Sequence, residues 1–335
     1  MTIDRKIEIA AQILRDGGLV AFPTETVYGL GADASNPAAV RKIFVAKRRP
    51  SDHPVIVHIA DASDLKHWAA QVPNAAWVLA EKFWPGPLTL VLKRAGHVSD
   101  LITGGQDTVG VRVPSHPLAR QLLKAFGGGI AAPSANSYGR LSPTTAQHVV
   151  EELGDAVDLV LDGGPCAVGI ESTIVDLSGA QPSILRPGEI SAAQIEQALS
   201  VTLGVLSTES PRVPGALATH YAPRTALALI HDQDVESFVE GRAPGVAVAV
   251  LARRSRPRNS RAALWQVAPQ SASEYAQHLY ALLRRMDSAG CALIVVESPP
   301  DLPDWAAVRD RLQRAAATAH PQFVPSGLQK RSTGN

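Results

Sequence analysis

The chain has 335 residues, of which 45% are hydrophobic and 19% are charged, and its formal net charge is +1. This length suits two domains, and the composition is ordinary for a globular protein. No apolar run is long enough to span a membrane and no signal-peptide core follows the N-terminus, so we expect a cytoplasmic protein. The two cysteines, Cys166 and Cys291, do not suggest a disulfide framework and are too few thiols for a zinc site.

Helix-like and strand-like patterns alternate over the first two thirds of the chain. Apolar residues at helical spacing predict a helix over Ile3–Arg15, which Asp16-Gly17-Gly18 ends. Further helix-like runs lie near residues 37–46, 62–70, 74–83, 117–125, 144–153 and 191–199. Strand-like runs lie near residues 19–22, 55–59, 88–92, 109–113, 130–132, 158–161, 173–177 and 183–185. This mixture predicts an α/β domain with a mostly buried, mixed sheet over residues 1–203.

The last third of the chain has a separate pattern. Residues 204–224 contain Pro211 and Pro214-Gly215, which indicate a linker, yet the pair His220-Tyr221 suggests contact with a ligand. Strand-like runs near 226–230, 245–251 and 291–296 then alternate with helix-like runs near 232–240, 273–287 and 304–317. They predict a small Rossmann-like α/β domain over residues 225–320. No Gly-x-Gly-x-x-Gly follows its first strand, so we expect no dinucleotide there, and residues 321–335 form a polar tail.

The segment Pro-Thr-Glu-Thr-Val-Tyr-Gly-Leu-Gly, residues 23–31, follows the first predicted strand. Pro23 has no backbone N–H, so a central strand should end there. Hydroxyl groups, a carboxylate and two glycines are typical of a tight polar turn that brings backbone and hydroxyls close to a ligand. The same pattern also fits a plain connection between a strand and a helix.

Three further clusters lie beside apolar runs. Lys47-Arg48-Arg49 ends a helix-like segment, Pro133-Ser-Ala-Asn136 follows a buried strand, and Gly169-Ile-Glu-Ser-Thr173 opens another strand. Open α/β sheets bind ligands at the ends of their strands, which makes these clusters candidate binding loops. Each cluster also has a plain structural interpretation, as solvated charges at a helix end or as an Asx turn.

Charge is distributed unevenly along the chain. Residues 1–200 carry 17 Lys and Arg against 20 Asp and Glu, whereas residues 201–335 carry 15 against 11. Five arginines lie within Arg253–Arg261 with no acidic residue among them. This segment fits an RNA contact or a solvated loop, and the chain as a whole is less basic than a typical tRNA-binding surface.

In this order and spacing, the clusters resemble the threonylcarbamoyl-AMP synthase family in its two-domain form, a YrdC-like catalytic domain followed by a smaller domain. The motifs lie within residues 5–225. They are Pro23–Gly31, Lys47-x-Arg49, Phe83–Thr89, Val109–Pro114, Ser134-x-Asn136, Glu171-Ser-Thr173, Leu185–Gly188 and His220–Pro223. The resemblance implies a twisted mixed sheet with a concave active-site face.

The resemblance also implies a nucleotidyltransferase that condenses L-threonine, bicarbonate or carbon dioxide, and ATP to threonylcarbamoyl-AMP and pyrophosphate. The product serves the modification of a tRNA adenosine next to the anticodon. Partner proteins of tRNA modification would accept it, and a weak contact with tRNA itself is a further expectation. Mg²⁺ is expected with ATP because the leaving pyrophosphate needs a counter-ion, although no clustered carboxylates identify its ligands.

Roles for single residues carry over from the same motifs. Lys47 and Arg49 are the expected catalytic cations, aimed at the phosphates from an extended segment after a helix. The expected contacts of L-threonine are Thr26, His58, Arg112, Ala132 and Ser172. The expected contacts of the nucleotide are Lys47, Arg49, His53, Thr108, Ser134, Asn136, Ser142, Arg186, His220 and Tyr221. His53 stands where many relatives have asparagine, and its charge would titrate near neutral pH.

Simpler interpretations of these residues remain open from the sequence. Arg112 also fits an interstrand ion pair, His58 a core histidine, and Arg186 a plain turn residue. For the whole protein, the alternative is an RNA-binding protein without catalytic activity, which predicts salt-dependent affinity for RNA and indifference to threonine. A carbamoyl-adenylate enzyme of metallocentre maturation is a third hypothesis, but such relatives carry zinc-finger cysteines that this chain lacks.

Overall fold

The structure, a computed structural model, describes residues 2–207, 209–215, 219–243 and 245–317. The chain forms two compact units, one of Met1–Tyr138 with Ser142–Ala216 and one of Gly139–Leu141 with Leu217–Asn335. The division predicted from sequence, at residues 203 and 224, stays a prediction. The predicted tail, residues 321–335, and residues 208 and 216–218 of the predicted linker lie outside the described residues.

In the first unit, helices and strands are interspersed along the sequence. Its helices are α1 (Ile3–Arg15), α2 (Pro37–Lys47), α3 (Leu65–Trp68), α4 (Asn74–Phe83), α5 (Asp100–Thr103), α6 (Pro117–Phe126), α7 (Ala146–Leu153) and α8 (Ala192–Leu199). Its strands are β1 (Val20–Phe22), β2 (Gly29–Asp33), β3 (Ile56–His58), β4 (Leu88–Lys93), β5 (Thr108–Arg112), β6 (Ile130–Ala131), β7 (Leu159–Val160), β8 (Thr173–Asp176) and β9 (Ser183–Arg186).

These strands form one mixed sheet in the described part of the chain, in the order β7-β1-β2-β6-β3-β5-β4-β8-β9. Strand β3 pairs in parallel with β5, which places His58 opposite Arg112, and β4 pairs antiparallel with β5 and in parallel with β8. The middle of the sheet therefore brings the end of β5 close to the starts of β4 and β8. Several of the predicted site residues lie at this end of the central strands, where β5 ends and β4 and β8 begin.

Local sequence signals explain the two helices that flank the first loop. Helix α1 buries Ile7, Ala10, Ala11 and Leu14, and the Thr2 side chain accepts the Arg5 N–H at 3.4 Å as its N-cap. The Asn36 side chain caps α2, with Pro37 in its first turn, and α2 ends where Arg48 adopts a left-handed conformation, φ 52°.

The glycines of the Pro23–Gly31 segment correct one expectation. Gly29 and Gly31 belong to β2, opposite Phe22 and Val20 of β1, and do not form a tight polar turn. A Cβ atom on Gly31 would lie 2.8 Å from side-chain atoms of Phe22 and Ile130. Glycine is needed here because neighbouring side chains pack directly against the strand, and the polar turn itself covers only residues up to Tyr28.

The second unit has a parallel sheet in its described residues. Its strands are β10 (Ala226–Ile230), β11 (Val248–Ala252), β12 (Leu264–Val267) and β13 (Leu293–Glu297), in the order β10-β13-β11-β12. Its helices are α9 (Val235–Glu240), α10 (Ala272–Asp287) and α11 (Ala306–Ala316). Strand β12 was not predicted, because this edge strand is short and only partly buried and so lacks a clear apolar pattern.

The predicted fold class is confirmed: a mixed-sheet α/β unit and a smaller unit with a parallel, Rossmann-like sheet. Within the described residues, no helix has the length and apolar character needed to cross a membrane.

Candidate active site

Arg112, at the end of β5, is the centre of a buried polar network in the first unit. Its Nε donates to the Gly86 carbonyl at 3.1 Å, Nη1 to Thr26 Oγ1 at 2.9 Å, and Nη2 to Glu25 Oε1 at 2.7 Å. A guanidinium has five N–H donors, so two remain beyond these three contacts. Arg112 is therefore an ion-pair partner of Glu25 that can still bind a planar anion such as a carboxylate.

Glu25 is the residue of this network to which the sequence analysis gave no role. Both carboxylate oxygens are used, since Oε2 accepts the Ser115 N–H at 3.0 Å. Burial by itself would raise the pKa of Glu25, but the Arg112 charge and the hydrogen bonds together hold that pKa below its ordinary value. Glu25 is thus ionised and neutralises Arg112. The sequence feature that could have identified Glu25 is a lone carboxylate between two threonines, just after a buried strand.

His58, the last residue of β3, lies opposite Arg112 in the sheet and is buried. Its Nδ1 has no hydrogen-bond partner among the described residues. Burial, followed by the positive charge of Arg112, lowers the pKa of His58 to about 3. The imidazole is therefore neutral at physiological pH, and an unpartnered nitrogen of this kind can take a hydrogen bond from a ligand.

Replacing His58 by glutamine should flatten the dependence of stability on pH. The pKa of His58 is about 3 in the folded state against an ordinary 6.5. The unfolded state therefore binds a proton first, and the free energy of unfolding decreases as the pH falls from 6.5 towards 3. The free energy of unfolding should drop between about pH 7 and about pH 5 by about 2 kcal/mol more in the unaltered protein than in His58→Gln. Urea titrations at the two pH values measure this difference. Equal pH dependence of the two proteins would contradict the buried, neutral state of His58.

Ser172 and Arg186 lie together at the start of β8. Ser172 Oγ is 2.8 Å from Thr89 Oγ1, and the Ser172 carbonyl accepts from Arg186 Nε at 3.2 Å and Nη2 at 3.0 Å. Arg186 Nη1 also donates to the Pro214 carbonyl at 2.8 Å. Arg186 is therefore more than a turn residue, because it braces the backbone that carries Ser172.

Ala132 follows β6 and is buried against β2. Its N–H donates to the Ile56 carbonyl at 2.9 Å. A Cβ atom on Gly29 would lie 3.2 Å from the Ala132 Cβ, so glycine at 29 permits this close approach. Ala132 therefore lies beside Ile56 at the start of β3, whereas His58 pairs with Ile130, and the expected contact of Ala132 with L-threonine stays a prediction.

Lys47 is the last residue of α2 and not part of an extended segment, which corrects the sequence analysis. Its Nζ donates to the Ser134 carbonyl at 2.5 Å and to the Asn136 carbonyl. Lys47 is 1% exposed, and burial, followed by the charge of Arg49, lowers its pKa well below the ordinary value. When protonated, Lys47 has three N–H donors, of which two hold the Ser134 and Asn136 carbonyls and one remains.

Arg49 and His53 meet around Tyr138. Arg49 Nη2 donates to the Pro54 carbonyl at 2.9 Å, and its guanidinium lies 5.5 Å from the centre of the Tyr138 ring. The Tyr138 hydroxyl is 3.1 Å from His53 Nε2. Burial, followed by the Arg49 charge, lowers the pKa of His53, which favours the neutral ring.

Ser142 and Thr108 occupy different surroundings. Ser142 Oγ donates to Glu171 Oε1 at 2.5 Å. The Glu171 charge raises the pKa of Lys47, against the larger effect of burial. Thr108 opens β5 opposite Lys93 of β4 and lines a polar cavity of about 310 Å³ with Asp107 and Asp176. Among the described contacts, none joins the Thr108 side chain to the other predicted site residues.

His220 and Tyr221 belong to the second unit. The two rings are 4.1 Å apart, and the Arg311 guanidinium lies 5.1 Å from the centre of the Tyr221 ring. Tyr221 has a φ of 58°, a left-handed conformation that costs a non-glycine residue about 1 kcal/mol or more. Their predicted contact with the nucleotide stays a prediction.

Two family models match consecutive parts of the chain. Residues 12–188 match the Sua5/YciO/YrdC family, described as "Telomere recombination", and residues 190–317 match "Threonylcarbamoyl-AMP synthase, C-terminal domain". The threonylcarbamoyl-AMP synthase of Pyrococcus abyssi is 39% identical over 93% of this chain and 94% of its own length. That of Bacillus subtilis is 40% identical over 94% of both chains.

A solved structure is similar to this chain over nearly the same extent as these relatives. The crystal structure of P. abyssi Sua5 complexed with L-threonine has a TM-score of 0.87 and covers 93% of this chain and 94% of its own, at 39% identity. The predicted resemblance and the predicted enzyme class are thereby confirmed. The chain belongs to the threonylcarbamoyl-AMP synthase family, in its two-domain, Sua5-like form.

Proposed function

We propose that this protein binds L-threonine and ATP in its first unit and condenses them with bicarbonate or carbon dioxide to threonylcarbamoyl-AMP and pyrophosphate. The observation that carries the proposal is the Arg112 network. A buried guanidinium is held by Gly86, Thr26 and Glu25, with two N–H donors to spare, in a chain of this family. Such a group is preorganised for the carboxylate of an amino acid.

The chemistry requires positioning and charge neutralisation, with little covalent work by the protein. The threonine amine captures carbon dioxide as a carbamate, whose oxygen attacks the α-phosphorus as pyrophosphate leaves. Two anions must then approach each other in a poorly solvated site, where their repulsion is large. Lys47 and Arg49 are the cations that would offset this repulsion, and Arg112 would hold the amino acid at a fixed place.

Lys47 also supports the expected nucleotide contacts indirectly. Its bonds to the Ser134 and Asn136 carbonyls fix the loop that carries both side chains. Ser142, Arg186 and Thr108 remain proposed nucleotide contacts, with His53, His220 and Tyr221. Ser172, His58 and Ala132 complete the proposed amino-acid contacts around Arg112.

Mg²⁺ is proposed to accompany ATP. Among the described residues, no group of three or more His, Cys, Asp or Glu side chains is arranged to hold a metal ion. Mg²⁺ bound to a nucleotide takes most of its ligands from phosphate and water, so such a group is not required. The ion would enter with its nucleotide and neutralise phosphate charge.

The arginine segment of the second unit does not favour RNA binding as the primary function. Arg253 pairs with Glu297 at 2.7 Å, Arg254 with Glu236 at 3.7 Å, and Arg261 with Glu240 at 4.0 Å. These carboxylates neutralise much of the charge that a phosphate backbone would need. A weak tRNA contact and a role for partner proteins that accept the product remain proposals.

Pyrophosphate release tests the proposed function against the RNA-binding alternative. Purified protein with ATP, Mg²⁺, bicarbonate and L-threonine should release pyrophosphate, and omission of threonine or its replacement by L-serine should lower the rate about tenfold or more. The same preparation should show no strong, salt-dependent affinity for tRNA. Threonine-independent release, or tight RNA binding without any turnover, would contradict the proposal.

A further inference from the structure

Three consecutive residues, Gly139–Leu141, belong by their contacts to the second unit, whereas the residues directly before and after them belong to the first. The Gly139 carbonyl accepts the Ala222 N–H at 2.9 Å, and Arg140 forms a parallel backbone bridge with Ala222. Arg140 Nη1 also donates to the Pro223 carbonyl at 3.2 Å. Hydrogen bonds to a distant part of the chain therefore fix the first two residues of this segment.

Arg284, on α10, holds the third residue of the segment. Its Nη2 donates to the Leu141 carbonyl at 2.5 Å. A hydrogen bond from a guanidinium is charge-assisted and is stronger than one between neutral groups. Because the peptide bond is planar, the Leu141 carbonyl and the Ser142 nitrogen lie in one rigid group. The bond from Arg284 therefore also orients the backbone at Ser142.

Ser142 is a proposed nucleotide contact whose position is set from both sides. It is fully buried, and its Oγ donates to Glu171 Oε1 at 2.5 Å. The residue after it is also held, since the Pro143 carbonyl accepts the Tyr28 N–H at 2.9 Å. With the peptide groups fixed on both sides, the Ser142 side chain has little freedom to move. Removal of the preceding bond would release one of these two sides.

We propose that Arg284 is a positioning residue for ATP, and that it acts by holding the Leu141–Ser142 peptide group. The inference rests on the proposed function, in which Ser142 contacts the nucleotide, and it gives helix α10 a part in nucleotide binding. Arg284 does not have to touch the nucleotide, because its effect is transmitted through the backbone.

The amino-acid contacts make the expected effect selective. In the described part of the chain, Arg112 is held by Gly86, Thr26 and Glu25 and not by any of the residues that fix Gly139–Leu141. The proposed L-threonine site should therefore keep its shape when the bond from Arg284 is lost. Affinity for ATP should fall, and affinity for L-threonine should not.

Steady-state kinetics and calorimetry on the full-length protein test this inference. Arg284→Met keeps the apolar stem of the side chain and removes its donors. It should raise the KM for ATP about tenfold, change kcat by less than about threefold, and leave the calorimetric Kd of L-threonine within about threefold. Arg285→Met is the matched control, because Arg285 is the next residue of α10, is exposed, and should keep all three values.

Arg140→Ala is an independent second variant, because it leaves α10 unchanged. It removes the bond between the same segment and the Pro223 carbonyl. The KM for ATP should rise about threefold, again without a change in the affinity for L-threonine. Thermal unfolding of each variant shows whether its fold is retained.

Three results would overturn the inference. An unchanged KM for ATP in both Arg284→Met and Arg140→Ala would mean that these bonds only stabilise the fold. An equal loss of affinity for ATP and for L-threonine would mean that the substitutions disturb the whole protein. If the unaltered protein did not turn over ATP with L-threonine, the proposed function would fail first, and the inference with it.

Discussion

Replacing Arg112 by alanine should abolish threonine-dependent pyrophosphate release and destabilise the fold. Activity is lost because the proposed carboxylate ligand is gone. Stability is lost because Glu25, whose side chain is 9% exposed, keeps a buried charge without its cation. The free energy of unfolding should fall by about 3–5 kcal/mol, measured by urea denaturation beside the pyrophosphate assay.

A second change separates the two effects of Arg112→Ala. Adding Glu25→Gln removes the uncompensated charge, so the double variant should regain part of the lost stability without regaining activity. Lys93→Ala is the matched control, since the Lys93–Asp107 pair is largely exposed and should contribute only about 0–1 kcal/mol. An Arg112→Ala protein that keeps threonine-dependent turnover would refute the proposed carboxylate site.

Replacing Lys47 by methionine should reduce kcat by about 10²–10³-fold and raise the KM for ATP. Methionine keeps the apolar stem of the side chain but loses the donors that hold the Ser134 and Asn136 carbonyls. The loop with the proposed nucleotide contacts would then lose the hydrogen bonds that hold it, and the phosphates would lose a positive charge beside them. Steady-state kinetics at varied ATP concentration measures both parameters.

Arg48→Gly provides the neighbouring control for Lys47→Met. Arg48 is exposed and has a φ of 52°, a conformation that glycine adopts without strain. Its replacement should leave kcat and KM unchanged and should not lower stability. Equal kinetic losses in Arg48→Gly and Lys47→Met would mean that general positive charge matters and that the buried hydrogen bonds of Lys47 do not.

The sequence was sufficient for the fold class, and of the two side chains bonded to Arg112 it indicated Thr26 but not Glu25. Thr26, Ser172 and Arg112 were named because their motifs resemble those of the family, and their contacts with L-threonine stay predictions. Pro23 was predicted to end the first strand because proline has no backbone N–H, and β1 does end at Phe22. Motifs of this kind are local, so a single sequence displays them.

The partners of these residues were not predictable from local pattern. Glu25 and Arg112 are 87 positions apart in the chain, and they meet at 2.7 Å because the sheet joins β1, which precedes Glu25, to β5 through β2, β6 and β3. Lys47 was expected on an extended segment because the helix-like run was predicted to end at residue 46. The helix includes Lys47, since the left-handed turn at Arg48 ends it one residue later than predicted.

Direct detection of the product would show most clearly whether this protein forms threonylcarbamoyl-AMP. Full-length protein would be incubated with ATP, Mg²⁺, L-threonine and isotopically labelled bicarbonate, and the nucleotides would be analysed at once by mass spectrometry. We expect a threonine-containing derivative of AMP whose additional carbonyl carries the heavy carbon, formed together with pyrophosphate and absent in Arg112→Ala. Turnover of ATP without a threonine-containing, labelled adenylate would contradict it.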